Sequence, residues 1–273
     1  EVLSKLMRKK ITAIAWDYIR DEDGVFSLVR TVGEIAGTTS ILIAGELISS
    51  FASGKGMMLG GIAGVQPTEV VIIGAGTVGE FATRAALGLG ASVKVFDNRL
   101  SKLRRLQNDI GKRVYTSIIQ PKVLAKAIKR ADIVIGALRS NVGKTPCVVT
   151  EMMIQDMKPG SVIVDVSIDQ GGCFETSKIT NHDDPTFIKH GVTHYCVPNI
   201  ASRVSRTASF AISNIFSPLL LEMGDYGGVV ELIRSHKGFR NGVYIYKGIL
   251  TNEVLGKVFD LNYKDINLIL PGI

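Results

Sequence analysis

The sequence predicts an α/β fold in which a doubly wound, mostly parallel sheet is joined by part of a second, discontinuous domain. Segments typical of strands and of helices alternate from residue 69 to residue 196, as in a parallel sheet with crossover helices. The segment 69–73, with sequence EVVII, is a continuous apolar run of the kind buried on both faces of such a sheet. Residues 229–273 are too few for a core of their own, so we expect them, with residues 1–24, to dock elsewhere on the protein.

Periodicity and breaker residues assign the individual elements. The helix predicted at 149–157 stops before Pro159 and Gly160, and the helix predicted at 205–223 ends at the glycine-rich segment 224–228. The predicted strands are 12–19, 69–73, 92–96, 114–117, 131–136, 161–165 and 193–196. The predicted helices are 30–50, 79–89, 101–107, 123–130, 149–157 and 205–223.

Composition excludes several classes of protein. Hydrophobic residues make up 46% of the 273 residues and charged residues 21%, so the chain can bury a core and is not predicted to be disordered. The most apolar stretches are interrupted by Glu46, Asn214 and Pro218, and no membrane span is expected because a span needs about 18 unbroken apolar residues. Three scattered cysteines indicate a reducing, cytoplasmic compartment.

The net charge of +7 raises the question of nucleic-acid binding. The basic residues fall in short clusters such as 102–105 and 129–130, without the interleaved aromatic residues of a single-strand platform. We therefore interpret them as solvated helix faces that attract anionic ligands, and expect no nucleic-acid partner.

A glycine-rich turn at 74–79 is the most informative motif. Gly74, Gly76 and Gly79 form a GxGxxG pattern between a predicted buried strand and a predicted helix, and Asp97 follows 18 residues after Gly79. This context is typical of a Rossmann dinucleotide site, in which the glycines permit a tight turn, close approach of a pyrophosphate and close helix packing. Asp97 would accept hydrogen bonds from the adenosine ribose and disfavour a 2′-phosphate, so NAD is predicted over NADP, although Lys102 and its neighbour Arg99 soften that preference.

Two further loops follow predicted strands. One contains Asp165, Asp169 and Gln170, and the other ends in Asn199; both lie at strand carboxyl ends, where open α/β sheets bind ligands. Asp169 could bind an amine or a water, or simply cap its loop. Asn199 could bind a carboxamide, or simply hold a turn.

Histidine and cysteine residues show no catalytic or metal-ligating spacing. The four histidines form no ligand pattern such as HExxH, so no metal site is predicted and each is interpreted as a surface or core residue. Cys173 follows two glycines but has no histidine or asparagine partner at a recognisable spacing, which favours a bystander thiol over a nucleophile.

Taken together, these motifs resemble the alanine dehydrogenase/pyridine nucleotide transhydrogenase family along essentially the whole chain. The string IDQGGCFE at 168–175 is far more specific than the glycine pattern. Other matching strings are ITAIA at 11–15, GGIAGV at 60–65, VIIGAGTVG at 71–79, VFD at 95–97, RADIVIGA at 130–137, YCVPN at 195–199 and RTAS at 206–209.

The resemblance implies NAD-dependent oxidative deamination of L-alanine to pyruvate and ammonia, and the reverse amination, in a homohexamer. It implies that Thr77 and Val78 lie under the pyrophosphate, that Asp97 and Lys102 hold the adenosine end, and that Asp169 is the essential aspartate beside the substrate. The residues it implies along the cofactor groove and around the nicotinamide are Leu138, Val166, Ile168, Asp169, Val197, Asn199 and Ile200.

The chain departs from the family pattern in its substrate half. The resemblance implies that an arginine and a lysine hold the substrate carboxylate and that a histidine acts as acid and base, and residues 1–24 and 225–273 offer no match. We therefore expect an N-terminally incomplete form that binds NAD and turns over alanine poorly. The expected domains are 1–27 and 206–273 as parts of a substrate domain, and 28–205 as the NAD-binding domain. Two alternatives stay open: the NAD-binding subunit of a transhydrogenase, and a non-catalytic nucleotide-binding module.

Overall fold

The computed structural model describes residues 1–52, 54–140 and 143–270. The chain divides into two compact units. One unit combines Glu1–Val32 with Ser209–Ile273, and the other is Gly33–Ala208. Both divisions fall inside helices.

The strands are β1 (Ala13–Ile14), β2 (Glu69–Ile73), β3 (Ser92–Phe96), β4 (Tyr115–Ser117), β5 (Ile133–Gly136), β6 (Val162–Asp165), β7 (Thr186–Lys189), β8 (Val192–Tyr195), β9 (Val243–Tyr246) and β10 (Ile249–Leu250). The helices are α1 (Val2–Arg8), α2 (Ser27–Ser49), α3 (Thr77–Gly88), α4 (Leu100–Ile110), α5 (Pro121–Arg130), α6 (Glu151–Gln155), α7 (Ser205–Asp225), α8 (Val229–Ser235), α9 (Lys237–Arg240), α10 (Glu253–Phe259) and α11 (Ile266–Ile269). Three short 3-10 helices lie at Trp16–Tyr18, Val166–Gln170 and Ile200–Val204.

The unit Gly33–Ala208 is built on a seven-stranded sheet with the order β4-β3-β2-β5-β6-β8-β7. Strands β2, β3, β4, β5, β6 and β8 pair in parallel, and only β7 is antiparallel, at one edge. From β2 the chain proceeds outward through β3 and β4, then returns to β5 on the other side of β2. This reversal of direction between β2 and β5 creates the crevice in which open α/β sheets bind ligands, and it confirms the predicted doubly wound sheet.

Both faces of this sheet are covered, as the continuous apolar strands require. Val70 and Ile72 of β2 point into one buried cluster, and Val71 and Ile73 point into another on the opposite face. The first cluster also contains α2 residues, and α2 approaches α3 closely at Gly37, where a Cβ atom would lie 2.4 Å from the Val78 carbonyl oxygen. Glycine at this position lets the two helix backbones touch.

Helix α2 is the one helix among the described residues whose length and apolar composition would suffice to cross a membrane. Half of its apolar stretch is buried inside the protein, and its buried residues Ile41, Ile43, Ala44 and Ile48 belong to the first core cluster. A helix at the core of a folded domain passes the same composition test, so α2 gives no reason to place a membrane around it.

The predicted strands differ from the structure mainly at sheet edges and in residues 243–250, where β9 and β10 were not predicted. The strand predicted at 12–19 is wrong beyond its first residues, because the register of β1 on β9 shifts between Ala13 and Ile14 and a 3-10 helix follows. Strand β7 was not predicted. It pairs with β8 across His190 and Gly191, which both have positive φ, +54° and +72°, as the two central residues of a type I′ hairpin turn do.

The unit of Glu1–Val32 and Ser209–Ile273 has its own small sheet with the order β1-β9-β10, antiparallel throughout. Its buried cluster includes Leu232, Phe239, Val243 and Tyr246, with Ile14 packed against it. Residues near the two ends of the described chain therefore share one sheet and one core.

Candidate functional site

The glycine-rich loop joins β2 to α3 in a turn that only glycine accommodates. Gly74 has φ of +117°, and a Cβ atom there would lie 2.3 Å from the carbonyl oxygen of Ala137, at the end of β5. A Cβ atom at Gly79 would lie 1.8 Å from the Gly74 carbonyl oxygen, so the first turn of α3 rests directly on the loop. Both glycines are therefore required by backbone packing, which follows the roles predicted from their spacing.

Gly76 is different, because its side-chain position opens into free space. No described atom lies within 4 Å of a Cβ atom built there, and Gly76 is the N-cap residue of the twelve-residue helix α3. The half-buried Thr77 and Val78 form the first turn of that helix. Their N–H groups and the positive end of the helix dipole suit an anion such as a pyrophosphate.

Asp97 follows β3 and lies beside this loop, almost fully buried at 4% exposure. Its Oδ2 accepts from the backbone N–H of Ala75 at 2.8 Å, and its Oδ1 accepts from the N–H of Arg99 at 2.8 Å. Lys102 Nζ lies 4.0 Å from Oδ2. The carboxylate is thus fixed at both oxygens, and each oxygen has a second lone pair for a further donor.

Arg105 was not singled out from the sequence. It reaches from α4 to donate a 3.2 Å hydrogen bond to the carbonyl oxygen of Ala75, inside the glycine-rich loop. The spacing of Arg105 from Lys102, one turn of the same helix, is the sequence feature that would have indicated it.

The loop after β6 contains two carboxylates with opposite roles. Asp165 is buried and accepts from the N–H groups of Ser167 (2.9 Å) and Cys173 (3.1 Å) and from the Ser177 hydroxyl (2.6 Å). Burial raises the pKa of the Asp165 carboxyl, while these hydrogen bonds oppose that rise. Asp165 therefore organises the loop, whereas Asp169 is exposed.

Asp169 lies next to Asn199 although the two residues follow different strands. The backbone N–H of Asn199 donates to Asp169 Oδ1 at 2.9 Å. This contact joins the loop after β6 to the loop after β8, neighbours in the sheet. Ile168, Val197 and Ile200 on the same two loops are buried at 2–4% exposure, and Val166 is partly buried against the core.

The loop after β5 is tied to the Asp169 loop by Gln170. Gln170 Oε1 accepts from the N–H of Ser140 at 3.0 Å, and its Nε2 donates to the Ser140 carbonyl at 3.3 Å. Leu138, half-buried at the start of that loop, lies against the glycine-rich turn, because a Cβ atom at Gly74 would be 2.9 Å from the Leu138 nitrogen. Gln170 was noted in the sequence as a loop residue, but its pairing with Ser140 was not predicted.

The residues predicted from the sequence thus lie in two groups at the carboxyl edge of one sheet. Gly74, Gly76, Thr77, Val78, Gly79, Asp97 and Lys102 surround the glycine-rich turn. Val166, Ile168, Asp169, Val197, Asn199 and Ile200 belong to the loops after β6 and β8, and Leu138 lies on the loop after β5. Asp169 and Asn199, 30 residues apart in sequence, are joined by a direct hydrogen bond.

The buried thiols Cys173 and Cys196 and the buried imidazole of His194 do not have catalytic environments. Burial raises the pKa of Cys173 well above its usual range and that of Cys196 to about 12, so both remain neutral thiols at pH 7. Burial lowers the pKa of His194 to about 4, and its ring bonds Thr176 and a backbone carbonyl. Within the described residues no cluster of three or more His, Cys, Asp or Glu side chains could hold a metal ion.

A doubly wound sheet with an open helix N-terminus and a fixed carboxylate after the next strand defines a dinucleotide-binding protein of the Rossmann class. The family model described as "Alanine dehydrogenase/PNT, C-terminal domain" matches residues 40–253. The chain belongs to this family, as the resemblance predicted.

Individual relatives agree with the family assignment. Alanine dehydrogenase 2 of Staphylococcus aureus (strain USA300) is 40% identical over 262 residues, which are 96% of this chain and 70% of the relative. Alanine dehydrogenase of Mycolicibacterium smegmatis is 39% identical over 260 residues, 95% of this chain and 70% of the relative. The chain therefore spans about 70% of the length of these curated relatives.

Solved structures show the same fold. An L-alanine dehydrogenase aligns with a TM-score of 0.87 at 33% identity, over 94% of this chain and 71% of that one. A transhydrogenase from Sinorhizobium meliloti aligns with a TM-score of 0.73 at 23% identity, over 92% of this chain and 69% of that one. At that identity the second match supports the fold alone.

Proposed function

We propose that this chain acts in the NAD-dependent oxidative deamination of L-alanine to pyruvate and ammonia, and in the reverse amination. Relatives named alanine dehydrogenase, 40% identical over 96% of the chain, support the substrate. The structural observation on which the proposal depends is the open space at Gly76, beside the fixed carboxylate of Asp97. The adenosine ribose and the pyrophosphate of NAD would use both features at once.

The residues present fit NAD. A pyrophosphate would occupy the space at Gly76 and accept from the first N–H groups of α3. The free lone pairs of Asp97 would accept from the adenosine ribose hydroxyls, and Lys102 would lie beside them. Because two backbone N–H groups fix Asp97, the carboxylate cannot swing aside for the 2′-phosphate of NADP, and like-charge repulsion disfavours that cofactor.

Bound NAD would supply the acceptor for the hydride that leaves the alanine Cα. In the balanced reaction, alanine, NAD⁺ and water give pyruvate, ammonium, NADH and a proton. Asp169 would accept a hydrogen bond from the substrate nitrogen, or from the water that attacks the iminium carbon after hydride loss. The Asn199 N–H fixes one oxygen of Asp169, so the carboxylate is oriented before the substrate binds.

Apolar residues around Asp169 would restrict water. Val166, Ile168, Val197 and Ile200 present a buried apolar floor on the two loops, against which the nicotinamide would lie, and Leu138 would close its side. Excluding bulk water strengthens the interactions of the single carboxylate with the developing iminium charge.

The oligomeric state, the cellular compartment and the domain boundaries are part of the same proposal. We propose a homohexamer in the cytoplasm, with residues 1–27 and 206–273 contributing to a substrate domain and residues 28–205 to the NAD domain. We expect this chain to bind NAD and to turn over alanine slowly, since residues 1–24 and 225–273 offer no match for the positive side chains and the histidine that the family resemblance implies.

Calorimetric titration of NADH and NADPH into the purified chain tests the cofactor, and alanine-dependent NADH formation tests the reaction. We expect NADH to bind more tightly than NADPH. Asp169→Asn should reduce turnover by at least about tenfold, because an amide cannot replace a carboxylate as acceptor of a charge-assisted hydrogen bond.

Asp156→Asn is the matched control, since Asp156 is an exposed carboxylate at the end of α6 that pairs with Lys129. It should leave turnover unchanged. Tighter binding of NADPH than NADH would contradict the cofactor. A measurable rate of alanine turnover by the wild-type chain that is unchanged in Asp169→Asn would contradict the role of Asp169.

A further inference from the structure

Asn199 holds an unusual backbone conformation at the centre of the candidate site. Its φ and ψ are +51° and +53°, in the left-handed region, which disfavours residues other than glycine. In this conformation its N–H points at Asp169 Oδ1, 2.9 Å away. Asparagine adopts this region more readily than most non-glycine residues, and hydrogen bonds from neighbouring groups select it at Asn199.

Ser202 holds Asn199 from the carbonyl side. The Ser202 N–H donates to the Asn199 carbonyl oxygen at 2.8 Å, and the Ser202 hydroxyl donates to the same oxygen at 2.7 Å. Two donors from one residue thus fix the peptide plane that follows Asn199.

His182 completes this chain of hydrogen bonds. Its Nε2 lies 2.7 Å from the Ser202 hydroxyl oxygen. Since the single hydroxyl hydrogen is donated to Asn199, the Ser202 oxygen accepts from a protonated Nε2 of His182. Both the imidazolium and one neutral tautomer meet this requirement.

The backbone around His182 is itself constrained. Asn181 Oδ1 accepts from the N–H groups of residues 183 and 184, both at 2.9 Å, which closes a tight turn around His182. The N–H of Thr180 donates to the carbonyl of Cys196 at 3.1 Å, directly after β8. The segment that presents His182 is therefore anchored to the strand that precedes Asn199.

We propose that His182 and Ser202 are positioning residues for the nicotinamide half of the site. The bond from His182 to the Ser202 hydroxyl and the bond from that hydroxyl to the Asn199 carbonyl strengthen each other. They fix the backbone of Asn199, whose N–H, in the preceding peptide group, donates to Asp169. Neither His182 nor Ser202 touches the substrate in this arrangement. They fix where Asp169 and Asn199 lie, and their role in cofactor binding rests on the proposed function.

The first test needs no ligand. Amide hydrogen exchange of Asn199, measured by NMR, should become about fivefold faster in Ser202→Ala and in His182→Ala, the effect of losing one hydrogen bond. His190→Ala is the matched control, because His190 is also a histidine with a 2.7 Å side-chain hydrogen bond, to Glu151. Unchanged exchange at Asn199 in both site variants would overturn the proposal.

The second test separates the two halves of the cofactor. NADH and ADP are titrated calorimetrically, since ADP has the adenosine and the phosphates that bind near Asp97 and Gly76 but lacks the nicotinamide. Ser202→Ala and His182→Ala should each lower the affinity for NADH by about fivefold and leave the affinity for ADP within twofold of the wild-type value. Ser202→Thr, which keeps the hydroxyl, should restore NADH affinity.

Three results would count against the proposal. An equal loss of affinity for ADP and NADH would indicate a general structural effect. Unchanged NADH affinity would show that His182 and Ser202 do not position the nicotinamide half of the site. A wild-type chain that binds neither ADP nor NADH would overturn the proposed function, and with it the role of His182 and Ser202 in cofactor binding. The exchange rate of the Asn199 amide, measured without ligand, would still show whether His182 and Ser202 hold Asn199.

Discussion

Replacing Gly76 by alanine should separate nucleotide binding from folding. Gly76 has φ of −79°, which alanine adopts readily, and no described atom lies within 4 Å of the new Cβ atom. The folded state is therefore not strained. Loss of unfolded-state freedom favours the variant by about 0.4–1 kcal/mol, and the poorer N-cap of alanine opposes this by a similar amount, so the free energy of unfolding should change by less than about 1 kcal/mol. The same methyl group would occupy the space where the pyrophosphate approaches the helix.

The expected loss of affinity follows from the hydrogen bonds that the methyl group would prevent. Losing one charge-assisted bond, at about 1.5–3 kcal/mol, weakens binding by about tenfold to a hundredfold. NADH binding is measured by calorimetry, and the free energy of unfolding by urea denaturation followed by circular dichroism.

Two matched glycine-to-alanine variants define the comparison. Gly88→Ala, at the other end of α3 and also with no described atom within 4 Å of its Cβ position, should raise the free energy of unfolding by about 0.4–1 kcal/mol and bind NADH normally. Gly79→Ala should lose stability by about 1–3 kcal/mol, because its Cβ would lie only 1.8 Å from the Gly74 carbonyl oxygen. The reasoning is refuted if Gly76→Ala folds and binds NADH as tightly as wild type.

Three further predictions concern titratable groups. Asp97→Asn should lower the affinity for NADH by about tenfold, because an amide NH₂ group cannot accept hydrogen bonds. It should also reduce the ratio of NADH to NADPH affinity in calorimetry, because the charge that repels the 2′-phosphate is removed; an unchanged ratio would argue against the ribose contact. His194, with a pKa lowered to about 4 in the folded state, binds its proton only on unfolding, so the free energy of unfolding should fall by about 2 kcal/mol from pH 7 to pH 5 through this group; an NMR titration of its ring near pH 6.5 would contradict this. Iodoacetamide should label the exposed Cys147 in the native protein and spare the buried Cys173 and Cys196, as counted by mass spectrometry, whereas labelling of all three before unfolding would be inconsistent with their burial.

The parallel strands could be predicted from local sequence because their burial pattern is local. The predicted bounds of β2 and β3 agree with the structure, since each is a short run with strong β propensity that ends at a polar or glycine residue. The strand predicted at 12–19 failed because pairing with β9, more than two hundred residues away, decides where it ends. Strand β7 was missed, although the dipeptide His190-Gly191 is a recognisable hairpin signal.

The candidate site divides in the same way. The glycine spacing predicted the turn, and the family resemblance implied roles for Asp97, Asp169 and Asn199. Neither predicted which carboxylate oxygens already accept hydrogen bonds from the protein. Asp165 and Asp169 are four residues apart in sequence. Asp165 is buried and accepts three hydrogen bonds, whereas Asp169 is exposed. That distinction depends on where the chain folds back upon itself.

The sequence by itself determined the α/β class, the glycine turn and the chemical type of each polar group at the sheet edge, because these depend on periodicity, on φ and on residue identity. Only the tertiary structure decided which groups meet: Asn199 with Asp169, and His182 with Ser202. Those partners are separated by 30 and 20 residues, and a hydrogen bond is sensitive to tenths of an ångström. Such contacts arise from the packing of β6 beside β8, which no local pattern encodes.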